Sequence, residues 1–487
     1  MLTTILLSSL ASAQSFVRYD SSECIGIYSD AEISGPSKSS INIDIRPVSQ
    51  SGSLAIAIFP FQERKKIQNL KDIPDFLICT EEDVKSGTCL EAELNKFHLK
   101  ESSSSIFNEA VSWRDSNHKS SPNITWTADG TLNMKYHVPE TGFYCIFLGS
   151  SQSEEGVDYK SKFTIYQPYG KLPAIFYPAL QTFFWLSIAY TGIAIVWLVL
   201  SFRYWKELLP IQNYFSGLIG VLIVEMALNY EFFRDFNLKG SISHVLLGFM
   251  VIFHVARNSM SFFMILVVSL GFGVVKATLG ETMSTCFALT AIYFIFGALY
   301  TTGSLLATNL NSNLVLLSAI PLSLIMSVFY AWTIHGLNST ISHLESRKQV
   351  VKLLMYRRLW WILSLSLVVI AGIVFTNLIT ISHRNEPDWI ENQWKWRWML
   401  LEGSLHILYL VVFCCIAFLW APTENNQRYG LEQVASEEDE DEFCEPFHDG
   451  LEEGIKMRKK GEVVESEDEN DILDWANSQA DKWGDFE

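Results

Sequence analysis

The sequence predicts a membrane protein in three parts: a lumenal antiparallel β-sandwich, a seven-helix transmembrane bundle and a disordered acidic cytosolic tail. Three observations carry this. Between residues 176 and 422 seven apolar segments follow one another with short polar breaks, each meeting the roughly 20 residues that a helical span needs. Ahead of them, apolar residues alternate with period two, as in half-buried strands. After Pro422 no apolar period persists, and 22 Asp or Glu stand against 6 Lys or Arg. The parts are residues 1–13 (signal peptide), 14–171 (sandwich), 172–422 (bundle) and 423–487 (tail).

Met1 to Ala13 holds a short apolar run through Ile5, Leu6 and Leu7 and ends in Ala11-Ser12-Ala13, a small-x-small cleavage pattern. It reads as a signal peptide, too short to span. In the following domain the alternation is carried by Ile41, Ile43 and Ile45, by Leu54, Ile56 and Ile58, and by Phe163 with Ile165. Turn clusters such as Ser34-Gly35-Pro36-Ser37, Ala128-Asp129-Gly130 and Pro139-Glu140-Thr141-Gly142 break the runs at spacings suited to a sandwich. Cys24, Cys79, Cys89 and Cys145 all precede the first span, and an even set there reads as two disulfides in an oxidising lumen. Four cysteines allow three pairings, and spacing does not settle the choice. We favour Cys79 with Cys89, closing a short loop, and Cys24 with Cys145, tying the ends of the domain. Asn123-Ile124-Thr125 is a glycosylation acceptor on this side; Asn338-Ser339-Thr340 falls on the cytosolic side and should stay bare.

The expected spans are Leu180 to Phe202, Ile211 to Phe232, Ser243 to Val275, Ser284 to Thr308, Asn313 to His335, Arg358 to Thr380 and Arg397 to Trp420. With a lumenal start, the cytosolic loops hold Arg203, Lys206, Lys276, Arg347, Lys348, Lys352, Arg357 and Arg358, against Arg234, Lys239, Arg384 and Lys395 in the lumenal ones. That excess obeys the positive-inside rule and sends the tail to the cytosol. Five ionisable residues fall inside spans: Glu225, His254, Arg257, Glu402 and His406. A central charge costs about 2.5–3.5 kcal/mol on insertion scales, so such groups face the bundle interior. Glu402 and His406 are four apart and share a helix face; His254 and Arg257 are three apart. They predict a polar bundle cavity for a lipid head group, a proton or a cation. The plainer alternative is that Arg257 pairs with one of the carboxylates to hold helices together, and we weight it about two to one over transport.

Composition excludes other classes. Formal net charge is -17, but the tail carries -16 of it, so the rest is near neutral and offers no basic stripe for nucleic acid. His and Glu never adopt a metal-protease spacing, no glycine loop sits between strand and helix for phosphate, and no Ser, His and Asp constellation can be placed. Neither an enzyme nor a cofactor or metal is expected. Gly271-Phe272-Gly273 closes a membrane helix and reads as a bend or close packing.

Several strings then become recognisable. Tyr166-Gln167-Pro168-Tyr169-Gly170 at the entry to the first span, Leu209-Pro210-Ile211-Gln212 before the second and Glu225 within it come first. Ser269 to Lys276 closes the third, and the last runs from Trp398-Met399-Leu400-Leu401-Glu402-Gly403 to Ala421-Pro422-Thr423-Glu424-Asn425-Asn426. In this order they resemble the lung seven-transmembrane receptor family, also called the Golgi-dynamics-domain seven-transmembrane proteins. Cys24-Ile25-Gly26-Ile27-Tyr28-Ser29 and Thr141-Gly142-Phe143-Tyr144-Cys145 are similar to its fungal members. Gln167 stands where the family usually has Asn, Glu402 where Asp is expected, and Ala421 where Arg is expected. The resemblance implies a Golgi-dynamics-like β-sandwich on a seven-helix bundle, residence in Golgi and endosomal membranes, and a role in vesicle-mediated trafficking.

The tail adds a partner. Trp483 and Phe486 in an acidic setting resemble the tryptophan-x-x-phenylalanine peptides that dock on clathrin-adaptor ear domains. Ser436 and Ser466 each precede an acidic run and suit an acid-directed kinase; phosphate there would add roughly -1.5 to -2 charge each. The expected function is therefore a cargo or sorting receptor, or a scaffold. Its partners would be the lipid bilayer, a lipid in the bundle, coat or adaptor proteins at the tail, and a lumenal ligand or cargo. A seven-transmembrane signalling receptor and a cation or lipid conduit are the alternatives. Against the receptor, the third span lacks an acidic-arginine-aromatic switch, and seven spans alone are only analogy.

Overall fold

The computed structural model describes residues 21–422 apart from 50, 67–77, 88, 100–104, 115–123, 128–129, 151–158, 277, 307–312 and 384–388. The expected signal peptide, Asn123, Ser436, Ser466, Trp483 and Phe486 lie outside the described residues.

Among the described residues eight strands form two four-stranded antiparallel sheets. One has the order β1 (Ser21–Ile27), β7 (Gly142–Ser150), β3 (Ser51–Pro60), β4 (Phe107–Arg114). The other has the order β5 (Ile124–Trp126), β6 (Leu132–His137), β2 (Ser40–Pro47), β8 (Tyr159–Tyr166). Period two sends Ile41, Ile43 and Ile45 from one sheet, and Leu54, Ile56 and Ile58 from the other, into a single buried core. The strand β3 is apolar on its second face as well. Ala55, Ala57 and Phe59 pack there against Phe97, Ile106 and Phe147, under the connection between β3 and β4. That connection is pinned by the disulfide Cys79–Cys89 and by backbone bonds of Cys79 to Lys96 and Asn95. The second disulfide joins Cys24 of β1 to its direct cross-strand neighbour Cys145 of β7. Both favoured pairings are those observed.

Among the described residues seven helices are long and apolar enough to cross a membrane. They are α1 (Tyr177–Arg203), α2 (Pro210–Lys239), α3 (His244–Ser269), α4 (Glu281–Leu306), α5 (Asn313–Ser346), α6 (Val350–Ser382) and α7 (Ser404–Leu419), the last entered through a π-helical turn at Met399–Gly403. Several ends differ from the sequence expectation; α2, for one, runs to Lys239 instead of Phe232. The third span was expected to run to Val275, yet α3 stops at Ser269, because Gly271 and Gly273 take left-handed φ of 88° and 73° and turn the chain. The carbonyls freed at that end are caught by neighbouring helices: Tyr356 donates to Val268 O at 3.2 Å and Thr340 to Ser269 O at 2.8 Å. To make those bonds α5 and α6 extend beyond the apolar stretch, α5 to Ser346 instead of His335 and α6 from Val350 instead of Arg358. Leu337, Thr340, Leu344, Lys352 and Tyr356 are buried along the extension.

The sandwich is seated on the bundle by the string that opens the first span. Gln167, fully buried, accepts from Tyr28 N at 2.9 Å and donates to Gly26 O at 3.2 Å. Asn237 at the end of α2 donates to Tyr169 O at 2.7 Å and accepts from Leu172 N at 3.1 Å. Trp394, just before α7, packs on Tyr28 and Ala174, so close to Gly26 that any Cβ there would lie 2.5 Å from the indole. Lys395 reaches Glu32 at 2.8 Å, and Gln62 bonds Glu391. Burial pushes the Tyr28 phenol up to about 12, so this aromatic joint stays neutral.

Candidate functional site

Four of the five ionisable residues expected in the bundle meet at one point. Glu225 of α2 is completely buried, and its Oε1 lies 3.2 Å from His254 Nδ1 and 3.3 Å from an Arg257 guanidinium nitrogen, both on α3. The same guanidinium comes to 3.4 Å from His406 Nδ1 on α7. One helical turn explains each placement. His254 and Arg257, three apart, look along one side of α3; Glu225 faces them from α2; His406 lies a turn below Glu402. A buried carboxylate and guanidinium are tolerated in a low-dielectric interior only as partners. The helix-holding pair expected for Arg257 is thus with Glu225.

The cluster is larger than the sequence indicated. Asn258 accepts from Arg257 at 3.2 Å and sits 3.3 Å from His254 Nε2. The Tyr409 ring lies 5.0 Å from the guanidinium carbon, and its hydroxyl shares a 2.7 Å hydrogen bond with Ser261. Asn229 donates to Glu225 O at 2.8 Å. Tyr409 stands three residues after His406, so the helical period that picked out Glu402 and His406 could have found it. Asn258 and Asn229 are uncharged and gave no such signal.

Glu402 is held apart from this knot. It lies in the π-turn, where its Oε2 accepts from Trp398 Nε1 at 3.0 Å. The turn frees the Leu400 carbonyl, which is caught by Asn377 of α6 at 3.2 Å and by Ser404 at 3.0 Å. Gly403 packs closely here: a Cβ would lie 2.5 Å from Met399 Sδ and 3.0 Å from the Trp398 ring, so a side chain would make both shift. Glu402 and His406 then face a cavity shared with His254, Asn229, Thr301, Phe176, Phe183, Phe233, Met250 and Val251. The buried carboxylate oxygens Glu225 Oε2 and Glu402 Oε1 have no hydrogen-bond partner among the described residues. Among the described residues no group of three His, Cys, Asp or Glu could hold a metal ion.

A β-sandwich seated on seven apolar helices, with an acid–base knot inside the bundle, defines a multi-pass membrane protein with a folded extramembrane domain. Residues 178–427 match the GOST seven-transmembrane domain and residues 20–164 the PTM1-like N-terminal domain. The chain belongs to the GOST seven-transmembrane family. It is 31% identical to an uncharacterised protein of Schizosaccharomyces pombe, over 86% of this chain and 81% of that one. It is 27% identical to the membrane protein PTM1 of Saccharomyces cerevisiae, over 84% of this chain and 79% of PTM1. With human transmembrane protein 87A it shares 29% identity over 65% of this chain and 57% of the human protein.

Proposed function

We propose that this protein acts in vesicle-mediated trafficking, as a cargo or sorting receptor or scaffold of Golgi and endosomal membranes and not as an enzyme. The sandwich faces the lumen and meets a ligand there; the tail lies in the cytosol and addresses coat adaptors through Trp483 and Phe486. The observation that supports this best is the seat between the two folded parts. Gln167, Asn237, Trp394 and Lys395 tie a ligand-sized β-sandwich to the bundle at several independent points, as a receptor coupling a lumenal partner to a membrane address requires. The test follows a fluorescently tagged chain in cells, intact and lacking residues 423–487. Relocation of the truncated form to the plasma membrane or vacuole supports the reading, and retention in the Golgi overturns the tail as the address.

A second reading, a cation or lipid conduit, is favoured by one observation: Glu402 lines the bundle cavity and its buried Oε1 has no hydrogen-bond partner among the described residues, as is also true of Glu225 Oε2 in the adjoining knot. Buried carboxylate oxygens so placed suit a proton, a cation or an ammonium head group. Cation flux into vesicles containing the purified chain, abolished by Glu225→Gln or Glu402→Gln, would support it; flux equal to that of empty vesicles would remove it.

A further inference from the structure

The outer face and free edge of the second sheet carry an unusual charge arrangement. Strand β8 pairs with β2 on one side only, and among the described residues no strand lies along its other side. Period two turns Tyr159 and Ser161 into the core and Lys160 and Lys162 outward, where both lysines are exposed. Across the β2–β8 ladder Lys160 stands directly opposite Arg46, and Lys162 directly opposite Asp44. Asp44 is already engaged, since it accepts from Asn133 of β6. Exposed Lys135 of β6 lies on the same outer face, opposite Asn42.

Like charges directly opposite in an antiparallel pair are destabilising, and opposite charges there are favourable. The Lys160–Arg46 pair therefore works against the sheet unless an anion lies nearby, and the described residues provide neither of them, nor Lys162, with an ion pair. Edge lysines also keep a sheet from pairing with a strand that is neutral or basic. They do not exclude a strand that carries acids at alternate positions. Such a strand, laid along β8, would use for its ladder the backbone groups that no described strand pairs, and set its carboxylates opposite Lys160 and Lys162, at ordinary cross-strand distance. Among the described residues the outer face carries no row of aromatic rings on which a sugar could stack; Tyr166 stands there alone at the end of β8.

We propose that β8 is a docking edge for an extended acidic segment of a partner polypeptide, added as a fifth strand and selected by Lys160, Lys162 and Arg46. This names the chemistry of the ligand in the receptor reading and rests on it. Its test is a binding measurement, so a failure of tail-directed sorting would leave it standing and its own failure would leave sorting untouched.

The probe is a fluorescent peptide of alternating Glu and Thr, matched to the 8 residues of β8 and titrated onto the full chain in detergent micelles. Binding is expected, weakening with salt, and falling about tenfold or more for Lys160→Glu/Lys162→Glu. Lys160→Gln/Lys162→Gln, which preserves the shape of the edge, should fall in the same direction, and an unchanged melting temperature excludes misfolding. A peptide with Gln for Glu, and one N-methylated on the amides that would face β8, should both bind poorly. Equal binding of the parent peptide to the Gln variant and to the original chain would overturn the proposal. So would undiminished binding of the N-methylated peptide, or binding of a sulfated polysaccharide where the acidic peptide fails.

Discussion

Arg257 and Glu225 meet at 3.3 Å between α3 and α2, both shut away from solvent, and His254 and His406 complete a knot that joins three helices. The pair is worth less as a source of net stability than as a constraint, because two charges are desolvated to form it. Removing one partner strands the other. Glu225→Leu should therefore destabilise the bundle by about 3–5 kcal/mol, and Arg257→Met by a similar amount, whereas the two together should cost distinctly less than the sum. Thermal unfolding of the purified chain in detergent measures all three, and strict additivity would show that the two residues do not act as a pair.

How much of this was legible beforehand depends on the kind of signal. Spans and strands announce themselves through period and length, so Ile41, Ile43 and Ile45 and the seven apolar segments led directly to the sandwich core and the bundle. Helix ends were read worse. Phe272, Val274 and Val275 are apolar and looked like membrane, yet the left-handed glycines beside them end α3; His335 and Arg358 looked like membrane edges, yet their helices run on because a buried face continues past them. Within the site, charge marked Glu225, His254, Arg257 and His406, since ionisable residues in spans are costly enough to be informative. The π-turn that sets Glu402 against Trp398 has no such mark, because one extra residue in a helical turn leaves the apolar pattern nearly unchanged.

The joint between sandwich and bundle has a defined pH response. The Lys395 ammonium, with the Thr141 hydroxyl, holds the Glu32 carboxyl below its ordinary value of 4.5. A carboxylate depressed in the folded state contributes stability that is present above its unfolded value and is lost as pH falls through the folded one. The contact should thus persist from neutral pH down through the mildly acidic range and loosen only below about 4.5. Amide hydrogen exchange across Trp389–Trp396 reports it: protection should be flat between pH 7 and about 5 after correction for intrinsic rates, and Glu32→Gln should lower it at every pH. Loss of protection already between pH 7 and about 6 would mean that another group holds the joint.

The two disulfides should differ in worth. Cys24 and Cys145 are 121 residues apart in sequence, Cys79 and Cys89 only 10, and the entropy withdrawn from the unfolded chain grows with the loop closed. Replacing the first pair with Ser should cost about 5 kcal/mol and the second about 3 kcal/mol or less. The first bridge also sits on the strand pair that carries Gly26 and Tyr28 to Trp394, so its loss should loosen the joint too. Unfolding midpoints of the two double variants, compared at one pH, test the order; a larger loss for Cys79→Ser/Cys89→Ser would show that strain or residual structure outweighs loop entropy.

Glu402 offers the clearest distinction between a structural and a conducting carboxylate. Its Oε2 takes the Trp398 indole N–H, while its Oε1 is buried without a partner. Trp398→Phe keeps an aromatic ring but removes that donor, leaving the carboxyl without its observed partner; the expected loss from the missing bond is about 1–3 kcal/mol. If Glu402 serves packing alone, Trp398→Phe with Glu402→Leu should recover most of that loss and leave localisation and cation flux unchanged, because both polar members have gone together. If the free oxygen is the point of the arrangement, the double variant should be as stable and yet differ in flux from the original chain. Melting temperature and vesicle flux, measured on the original chain, Trp398→Phe, Glu402→Leu and the double variant, separate the two outcomes.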